Sequence, residues 1–124
     1  MVFNTEKRPD VVVETDPQRV GQVLLNLLSN ADKFTDRGRI SLDFDYDTEH
    51  ERLTFIVTDT GIGVPASQSE AIFSRFRKLD NTSPVCGLGL YISRLLAKLL
   101  GGDITLDTSY HGGARFIFSI SAKA

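Results

Sequence analysis

The apolar residues of this chain change their spacing at Gly38, from a helical repeat before it to a strand repeat after it. Asp16 is a favoured N-cap and is followed by proline, which predicts a helix from Pro17 to about Phe34. Beyond Gly38, alternating apolar residues in Ile40–Tyr46 and Leu53–Val57 predict an antiparallel hairpin with one buried face. A helix followed by such a hairpin predicts helices packed on a largely antiparallel sheet.

The remaining segments extend the same pattern. Short strands are predicted around Val2–Phe3 and Val11–Val13, a short helix from about Ser67 to Arg77, and a longer helix from Gly87 to Leu100. Two closing strands, Ile104–Asp107 and Ala114–Ser121, flank a glycine-rich turn that suits a tight hairpin. The element order predicts an α/β (α+β) two-layer sandwich, with a mixed, mostly antiparallel sheet of about five strands covered on one face by about three helices.

Composition limits the class of protein. A chain of 124 residues that is 41% hydrophobic and 24% charged predicts one globular domain spanning residues 1–124. Its net charge of -2 lacks the excess of Lys and Arg that nucleic-acid binding needs, so we expect no nucleic-acid partner. The single cysteine, Cys86, cannot form an internal disulfide, and no apolar leader or membrane-spanning stretch is evident, so we expect a cytoplasmic location.

The first predicted helix has a second, polar face. Asn26, Asn30 and Lys33 fall together, roughly 120–140° from the apolar stripe on a helical wheel. Asparagine is disfavoured in helix interiors. Its amide oxygen can ligate Mg²⁺, however, and a lysine ammonium can bind phosphate. For an isolated pair of asparagines, an ordinary solvated helix face is the better explanation. Phe34, at the border of the two faces, could pack in the core or present its ring to a purine.

Two glycine pairs lie at places where a backbone can approach a ligand. Gly61 and Gly63 follow Asp59 at the end of a predicted strand, where Asp59 could accept a hydrogen bond from an exocyclic amine. Gly87 and Gly89 open the last predicted helix, whose free N–H groups could face phosphates. Each pair alone is also consistent with an ordinary turn or a closely packed helix start.

The order of these segments resembles a known family. The segments NLLSNADKFT (Asn26 to Thr35), DTGIGV (Asp59 to Val64), IFSRF (Ile72 to Phe76) and GLGLYIS (Gly87 to Ser93) resemble the N box, first glycine box, F box and second glycine box of two-component histidine kinase ATP-binding domains. The similarity runs from Asp16 to Ile120. That family belongs to the group containing gyrase, Hsp90 and MutL, which share an α/β sandwich fold, in agreement with the predicted element order.

The resemblance implies a binding site for ATP and Mg²⁺. It implies that Asn30 ligates Mg²⁺, that Asn26 and Lys33 lie along the phosphates, that Phe34 contacts adenine, and that Asp59 receives the adenine amino group. The remaining nucleotide-binding residues that it implies lie in the two glycine boxes and are Gly61, Ile62, Gly63, Gly87, Leu88 and Gly89. Asn26 and Lys78 are the implied catalytic residues, Lys78 standing where many relatives have an arginine near the γ-phosphate.

The position of Asn26 bears on the reaction. ATP-hydrolysing relatives have Glu there as a general base, and an amide cannot serve in that role. The resemblance therefore implies that the γ-phosphate is presented to a histidine on a separate dimerisation domain and passed on to a response regulator receiver domain. Neither His50, in a predicted hairpin turn, nor His111, in a glycine-rich turn, is expected to be the acceptor. We expect the isolated domain to be monomeric and cytoplasmic, a location that also fits the cytoplasmic part of a membrane-anchored sensor.

The second glycine box departs from the family pattern. Many relatives have glycine and threonine where Val85 and Cys86 precede Gly87, and losing them stiffens the lid and removes a hydroxyl. One alternative is therefore a degenerate module that docks to or inhibits a partner without using ATP. Another is a serine kinase of the anti-sigma-factor type, which shares these boxes.

Overall fold

The chain folds into α-helices and antiparallel strands in the order that the sequence predicts. The computed structural model describes residues 2–5, 8–12, 15–34, 38–74 and 84–122, with side chains described for 15–32, 38–74 and 89–122. The elements are β1 Val2–Thr5, β2 Arg8–Val12, α1 Pro17–Phe34, β3 Ile40–Asp47, β4 Arg52–Asp59, α2 Pro84–Leu99, β5 Asp103–Leu106 and β6 Arg115–Ser121.

The main sheet has four strands in the order β3-β4-β6-β5, and every neighbouring pair is antiparallel. The two-layer α+β class is thus confirmed, whereas the predicted five-stranded, mixed sheet is not: the described residues form a four-stranded antiparallel sheet. The difference arises at the beginning of the chain, where β1 and β2 pair with each other, Val2 opposite Val12, in a separate two-stranded sheet. The short strand pair itself is confirmed.

The hydrophobic core lies on one face of the main sheet. Leu53, Phe55 and Val57 alternate with partly buried residues along β4, as a sheet with one packed face requires. On β6, Phe118 stacks on Phe55 with ring centroids 5.5 Å apart. The two long helices contribute residues that are almost fully buried, namely Val20, Val23, Leu27 and Ala31 from α1 and Leu90 and Ala97 from α2. None of the described helices is long and apolar enough to cross a bilayer.

Helix α1 begins where its sequence indicates. The Oδ1 atom of Asp16 accepts hydrogen bonds from the N–H groups of Gln18 and Arg19, at 3.1 and 3.2 Å. These are two of the donors that a helix start leaves without an intrahelical partner. The N-cap prediction is confirmed, and it sets the residue at which the helix carrying Asn26 and Asn30 begins.

The middle of the chain differs from the prediction in two places. Instead of an α-helix from Ser67, the described part contains two 3₁₀ turns, Ala66–Gln68 and Ala71–Phe73, which are separated by Ser69 and Glu70. Helix α2 begins at Pro84 and not at Gly87, because proline is well suited to the first helical position. Residues 75–83 lie outside the described part.

Arg94 joins α2 to two other elements. Its Nε donates to Asp103 of β5 at 2.9 Å, and its Nη1 donates to Glu70 at 2.8 Å. The guanidinium also lies 4.7 Å from the ring centroid of Phe73. Partial burial would raise the pKa of Asp103, but hydrogen bonds from Arg94 and from the Ile104 N–H hold it below its usual value.

We expect Asp103→Asn to destabilise the domain at neutral pH by about 1 kcal/mol, a modest value because water screens this partly exposed pair. Because the folded-state pKa of Asp103 is lowered, its contribution exists above the unfolded pKa and is lost as pH falls through the folded pKa. The variant and the wild type should therefore converge in urea denaturation near pH 2. Asp43→Asn, on an exposed position of β3, is the control; an undiminished difference at pH 2 would contradict the expectation.

Strand β3 forms one edge of the main sheet and is acidic. Asp43, Asp45 and Asp47 alternate along it and are exposed. At its end, Asp47 Oδ2 lies 2.8 Å from Nδ1 of His50 in the β3–β4 turn, and hydrogen bonds from His50 and Glu49 lower the pKa of Asp47. His50 thus lies in a hairpin turn, as predicted.

Candidate functional site

A buried carboxylate ends β4. Asp59 is only 2% exposed, since the alternation of β4 directs it to the same face as the core residues. Its Oδ1 accepts two backbone hydrogen bonds, from Gly61 at 2.9 Å and from Ala114 at 3.1 Å. Among the described residues no donor reaches Oδ2. A buried acceptor without a partner is costly, so this oxygen marks a place where a ligand donor would be stabilising.

The β5–β6 loop closes tightly over the backbone of Asp59. A Cβ on Gly113 would lie 2.1 Å from the Asp59 carbonyl oxygen, and one on Gly63 would lie 2.8 Å from the Gly113 carbonyl oxygen. Gly63 also has a φ of 75°, in the region that favours glycine. These two glycines therefore let the first glycine box and the β5–β6 loop meet. The contact brings the Ala114 N–H to the Asp59 carboxylate.

Tyr110 and Arg115 brace this loop. The Arg115 guanidinium lies 4.2 Å from the Tyr110 ring centroid, and its Nε donates to Oγ1 of Thr58 at 3.2 Å. The Tyr110 hydroxyl donates to the Asp59 carbonyl oxygen at 3.3 Å. The predicted tight hairpin is instead a loop of residues 107–114, which is long enough to fold back onto the end of β4.

The polar face of α1 meets α2 through Asn26. The Nδ2 of Asn26 donates to Oγ of Ser93 at 3.0 Å, and the Ser93 hydroxyl donates to the Gly89 carbonyl oxygen at 2.7 Å. The Asn26 side-chain oxygen accepts from Nε2 of Gln22 at 3.2 Å. One turn further along α1, Asn30 is partly buried, and no hydrogen bond from the described residues engages its amide. The first asparagine is thus linked to the second glycine box, and the other is available to a ligand.

Other predicted site residues are placed only in part. The backbones of Lys33 and Phe34 complete α1, and those of Gly87 and Leu88 lie within α2, but their side chains are outside the described part, as is all of Lys78. Ile62 is 82% exposed, which leaves its apolar surface free for contact. Together, the predicted site residues form two described groups, one around Asp59 and one around Asn26.

The second glycine box lies further inside α2 than the sequence predicts. Because α2 begins at Pro84, the N–H groups of its first turn belong to Val85 and Cys86 and not to Gly87. Gly87 and Gly89 lie within the helix, where their N–H groups serve the intrahelical ladder. The N–H groups that a helix start leaves without an intrahelical partner therefore belong here to the residues that depart from the family pattern.

The family follows from comparison with known proteins. Residues 15–124 match the family HATPase_c, described as histidine kinase-, DNA gyrase B- and HSP90-like ATPase. The chain belongs to this family. The aerobic respiration control sensor protein ArcB of Escherichia coli is 39% identical over 117 residues, which cover 90% of this chain and 15% of ArcB. The autoinducer 2 sensor kinase/phosphatase LuxQ of Vibrio vulnificus is 39% identical over 122 residues, 92% of this chain and 14% of LuxQ.

Solved structures place the domain in the same branch. Full-length ShkA in complex with AMPPNP superposes with a TM-score of 0.80 at 33% identity, covering 90% of this chain and 23% of ShkA. The catalytic domain of histidine kinase ThkA superposes with a TM-score of 0.75 at 32% identity, covering 90% of this chain and 73% of that chain. The domain is therefore an ATP-binding domain of the sensor histidine kinase kind. It spans only a small part of the length of the sensor kinases that it matches.

Sequence reasoning missed two contributors to the site. Ser93 lies in the second glycine box, and Ala114 follows a glycine pair, yet the sequence assigns neither a role. Their contacts with Asn26 and Asp59 join residues 67 and 55 positions apart along the chain. A serine at a core-facing helix position is the one sequence signal for Ser93, because a buried hydroxyl needs a partner.

Proposed function

We propose that this domain binds Mg²⁺-ATP and presents the γ-phosphate to a histidine on a separate dimerisation domain. The observation that carries the proposal is the Asp59 carboxylate, which is buried, held by two backbone donors on Oδ1 and open on Oδ2. The family and the neighbouring structure with bound AMPPNP support a nucleotide as the ligand.

Asp59 suits the exocyclic amine of adenine. The amine is a donor, and the open Oδ2 is an acceptor with no competing protein donor among the described residues. Guanine carries a carbonyl at the equivalent ring position, so its oxygen would face the carboxylate oxygen without a proton between them. The two backbone N–H groups on Oδ1 fix the orientation of the carboxylate, and such a preorganised acceptor favours ATP over GTP.

Asn26 and Asn30 suit the phosphate end of the nucleotide. Mg²⁺ takes oxygen ligands, keeps several waters, and is bound through few protein groups together with substrate phosphates. The amide of Asn30 is available for this role, since no described residue engages it. When bound, Mg²⁺ would supply charge neutralisation at the β- and γ-phosphates. Lys33 and Lys78 are proposed to add positive charge there, and Phe34 to contact the purine.

The chain lacks the parts needed to use ATP by itself. Asn26 replaces the general base of ATP-hydrolysing relatives, so water activation is not provided at that position. His50 sits in the β3–β4 turn bonded to Asp47, and His111 is exposed in the β5–β6 loop. Neither lies on an amphipathic helix of the kind expected for a phosphoacceptor. The acceptor nitrogen is therefore proposed to come from a partner, with a response regulator receiver domain as the next acceptor.

The proposal predicts Mg²⁺-dependent ATP binding with negligible hydrolysis by the isolated domain. In calorimetry we expect saturable heat with ATP in the presence of Mg²⁺ and none with GTP at the same concentration. With labelled ATP and the cognate dimerisation domain added in trans, the γ-phosphoryl group should transfer to an imidazole nitrogen as ADP leaves. The product should be acid-labile, as a phosphohistidine is and a phosphoserine is not.

Controls separate the alternatives. A dimerisation domain whose acceptor histidine is replaced by alanine should remain unlabelled. Acid-stable label on serine would favour the anti-sigma-factor type of kinase. Absence of heat at millimolar ATP would overturn the proposal in favour of a docking module that does not use nucleotide.

A further inference from the structure

Ser93 is a buried polar residue that the proposed reaction does not yet use. It lies on the core-facing side of α2 with no exposed surface. Its hydroxyl donates to the carbonyl oxygen of Gly89, one turn earlier on the same helix, at 2.7 Å. It also lies 3.0 Å from the Nδ2 atom of Asn26 on α1. These two contacts satisfy the hydroxyl and connect the two helices.

The hydroxyl has one proton, and this decides how Asn26 is oriented. Because the proton is donated to the Gly89 carbonyl, only the lone pairs of Oγ remain for Asn26. The amide must therefore turn its NH₂ group to Ser93 and its oxygen to the opposite side. Gln22 agrees with this orientation, since its Nε2 can only donate and lies 3.2 Å from the Asn26 oxygen.

The opposite orientation would be unfavourable at the Ser93 contact. With the amide rotated by 180°, the Asn26 oxygen would face the Ser93 oxygen with no proton between them. At the other contact, the exposed amide of Gln22 could rotate as well and turn its oxygen to the Asn26 NH₂ group. The Gln22 contact is exposed and open to water, whereas the Ser93 contact is partly buried. Ser93 is therefore the stronger determinant of the orientation.

We infer that Ser93 is a positioning residue that makes Asn26 present its side-chain oxygen, an acceptor, to the hydrated Mg²⁺ of the bound nucleotide. This inference rests on the proposed function. The carbonyl oxygen keeps a second lone pair beside the one that Gln22 uses, so it can accept from a metal-bound water. Ser93 touches neither nucleotide nor metal in this arrangement and acts only through Asn26.

The test compares Ser93→Ala with wild type and with two further variants. Ser93→Thr keeps a hydroxyl that can donate to Gly89. Ser29→Ala removes an exposed hydroxyl of α1 that makes no hydrogen bond with the Asn26 side chain among the described residues. Alanine is the best helix former, so Ser93→Ala is compatible with α2.

The first measurement needs no nucleotide. In ¹⁵N–¹H spectra, the side-chain amide of Asn26, assigned by its loss in Asn26→Asp, should show slowed proton exchange in wild type, Ser29→Ala and Ser93→Thr. In Ser93→Ala that protection should be lost. An Asn26 signal that is identical in wild type and Ser93→Ala would overturn the inference, whatever the nucleotide measurements show.

The second measurement is the ratio of ATP dissociation constants with EDTA and with saturating Mg²⁺. Losing one neutral hydrogen bond should lower this ratio about fivefold in Ser93→Ala, with the EDTA value unchanged, and Ser93→Thr should restore it. A purely structural role would weaken binding equally in both conditions, and an unchanged ratio would overturn the inference. If wild-type protein binds no ATP in either condition, the proposed function is overturned, and the Mg²⁺ role of Ser93 with it. The amide signal of Asn26 would still decide whether Ser93 sets the orientation of that side chain.

Discussion

Asp59→Asn is expected to weaken ATP binding about 100-fold, the size of losing a hydrogen bond to a charged acceptor. The backbone N–H groups of Gly61 and Ala114 require an acceptor, so the asparagine oxygen must take the place of Oδ1. Its NH₂ group then occupies the place of Oδ2 and faces the adenine amino group, donor against donor. Calorimetry with ATP and Mg²⁺ measures the loss.

The fold should survive this change, because both backbone donors keep their acceptor and a buried charge is replaced by a neutral group. The free energy of unfolding should therefore change by less than about 1 kcal/mol, and the melting temperature should stay within a few degrees of wild type. Asp43→Asn removes the same charge from an exposed position of β3 and should leave the affinity for ATP unchanged. Equal affinity in Asp59→Asn and wild type would contradict the assignment of Asp59 to adenine.

Gly113→Ala is expected to cause the largest loss of stability among these changes. The added Cβ would lie 2.1 Å from the Asp59 carbonyl oxygen and 2.9 Å from Cα of Thr60, both backbone atoms that cannot move aside independently. The φ of 152° at Gly113 adds strain for any other residue. We expect a destabilisation of about 3 kcal/mol and a melting temperature lower by about 10 °C.

Gly21→Ala is the matched control, because it adds the same methyl group where nothing lies within 4 Å. Gly21 is inside α1, so alanine should stabilise the domain by up to about 1 kcal/mol. Thermal unfolding followed by circular dichroism would show the two shifts with opposite signs. A Gly113→Ala domain as stable as wild type would mean that the β5–β6 loop is free to move away from Asp59. In Gly113→Ala, the affinity for ATP should fall together with stability, because Ala114 would no longer hold the Asp59 carboxylate through its N–H group.

Features set by neighbouring residues were the ones that the sequence predicted well. The Asp16 N-cap needs only the next three residues, and the apolar period of α1 and the alternation of β4 are equally local. The stripe of Asn26 and Asn30 followed from helical geometry alone. Family resemblance then supplied the roles that geometry could not, including the assignment of Asp59 to adenine.

What the sequence could not predict depends on distant contacts or on competing local preferences. The approach of Gly113 to Asp59 and the Ser93–Asn26 bond exist only after β6 and α2 have packed beside their partners. Helix α2 begins earlier than predicted because the glycines of the second box suggest a helix start at Gly87, whereas Pro84, a favoured first residue, lies before them. The residue pattern predicts β1 and β2 correctly as strands. It does not indicate which other strand each of them pairs with.

The acidic edge of the sheet has a consequence for how this domain behaves at high concentration. An edge strand offers unpaired backbone groups to any other strand, and long apolar edges recruit copies of the same chain into aggregates. On β3 the alternating Asp43, Asp45 and Asp47 place like charges against an approaching copy. The hydrogen bonds that lower the pKa of Asp47 keep its charge to a lower pH than an ordinary aspartate would. We therefore expect β3 to complete the sheet without pairing with a strand of a second copy.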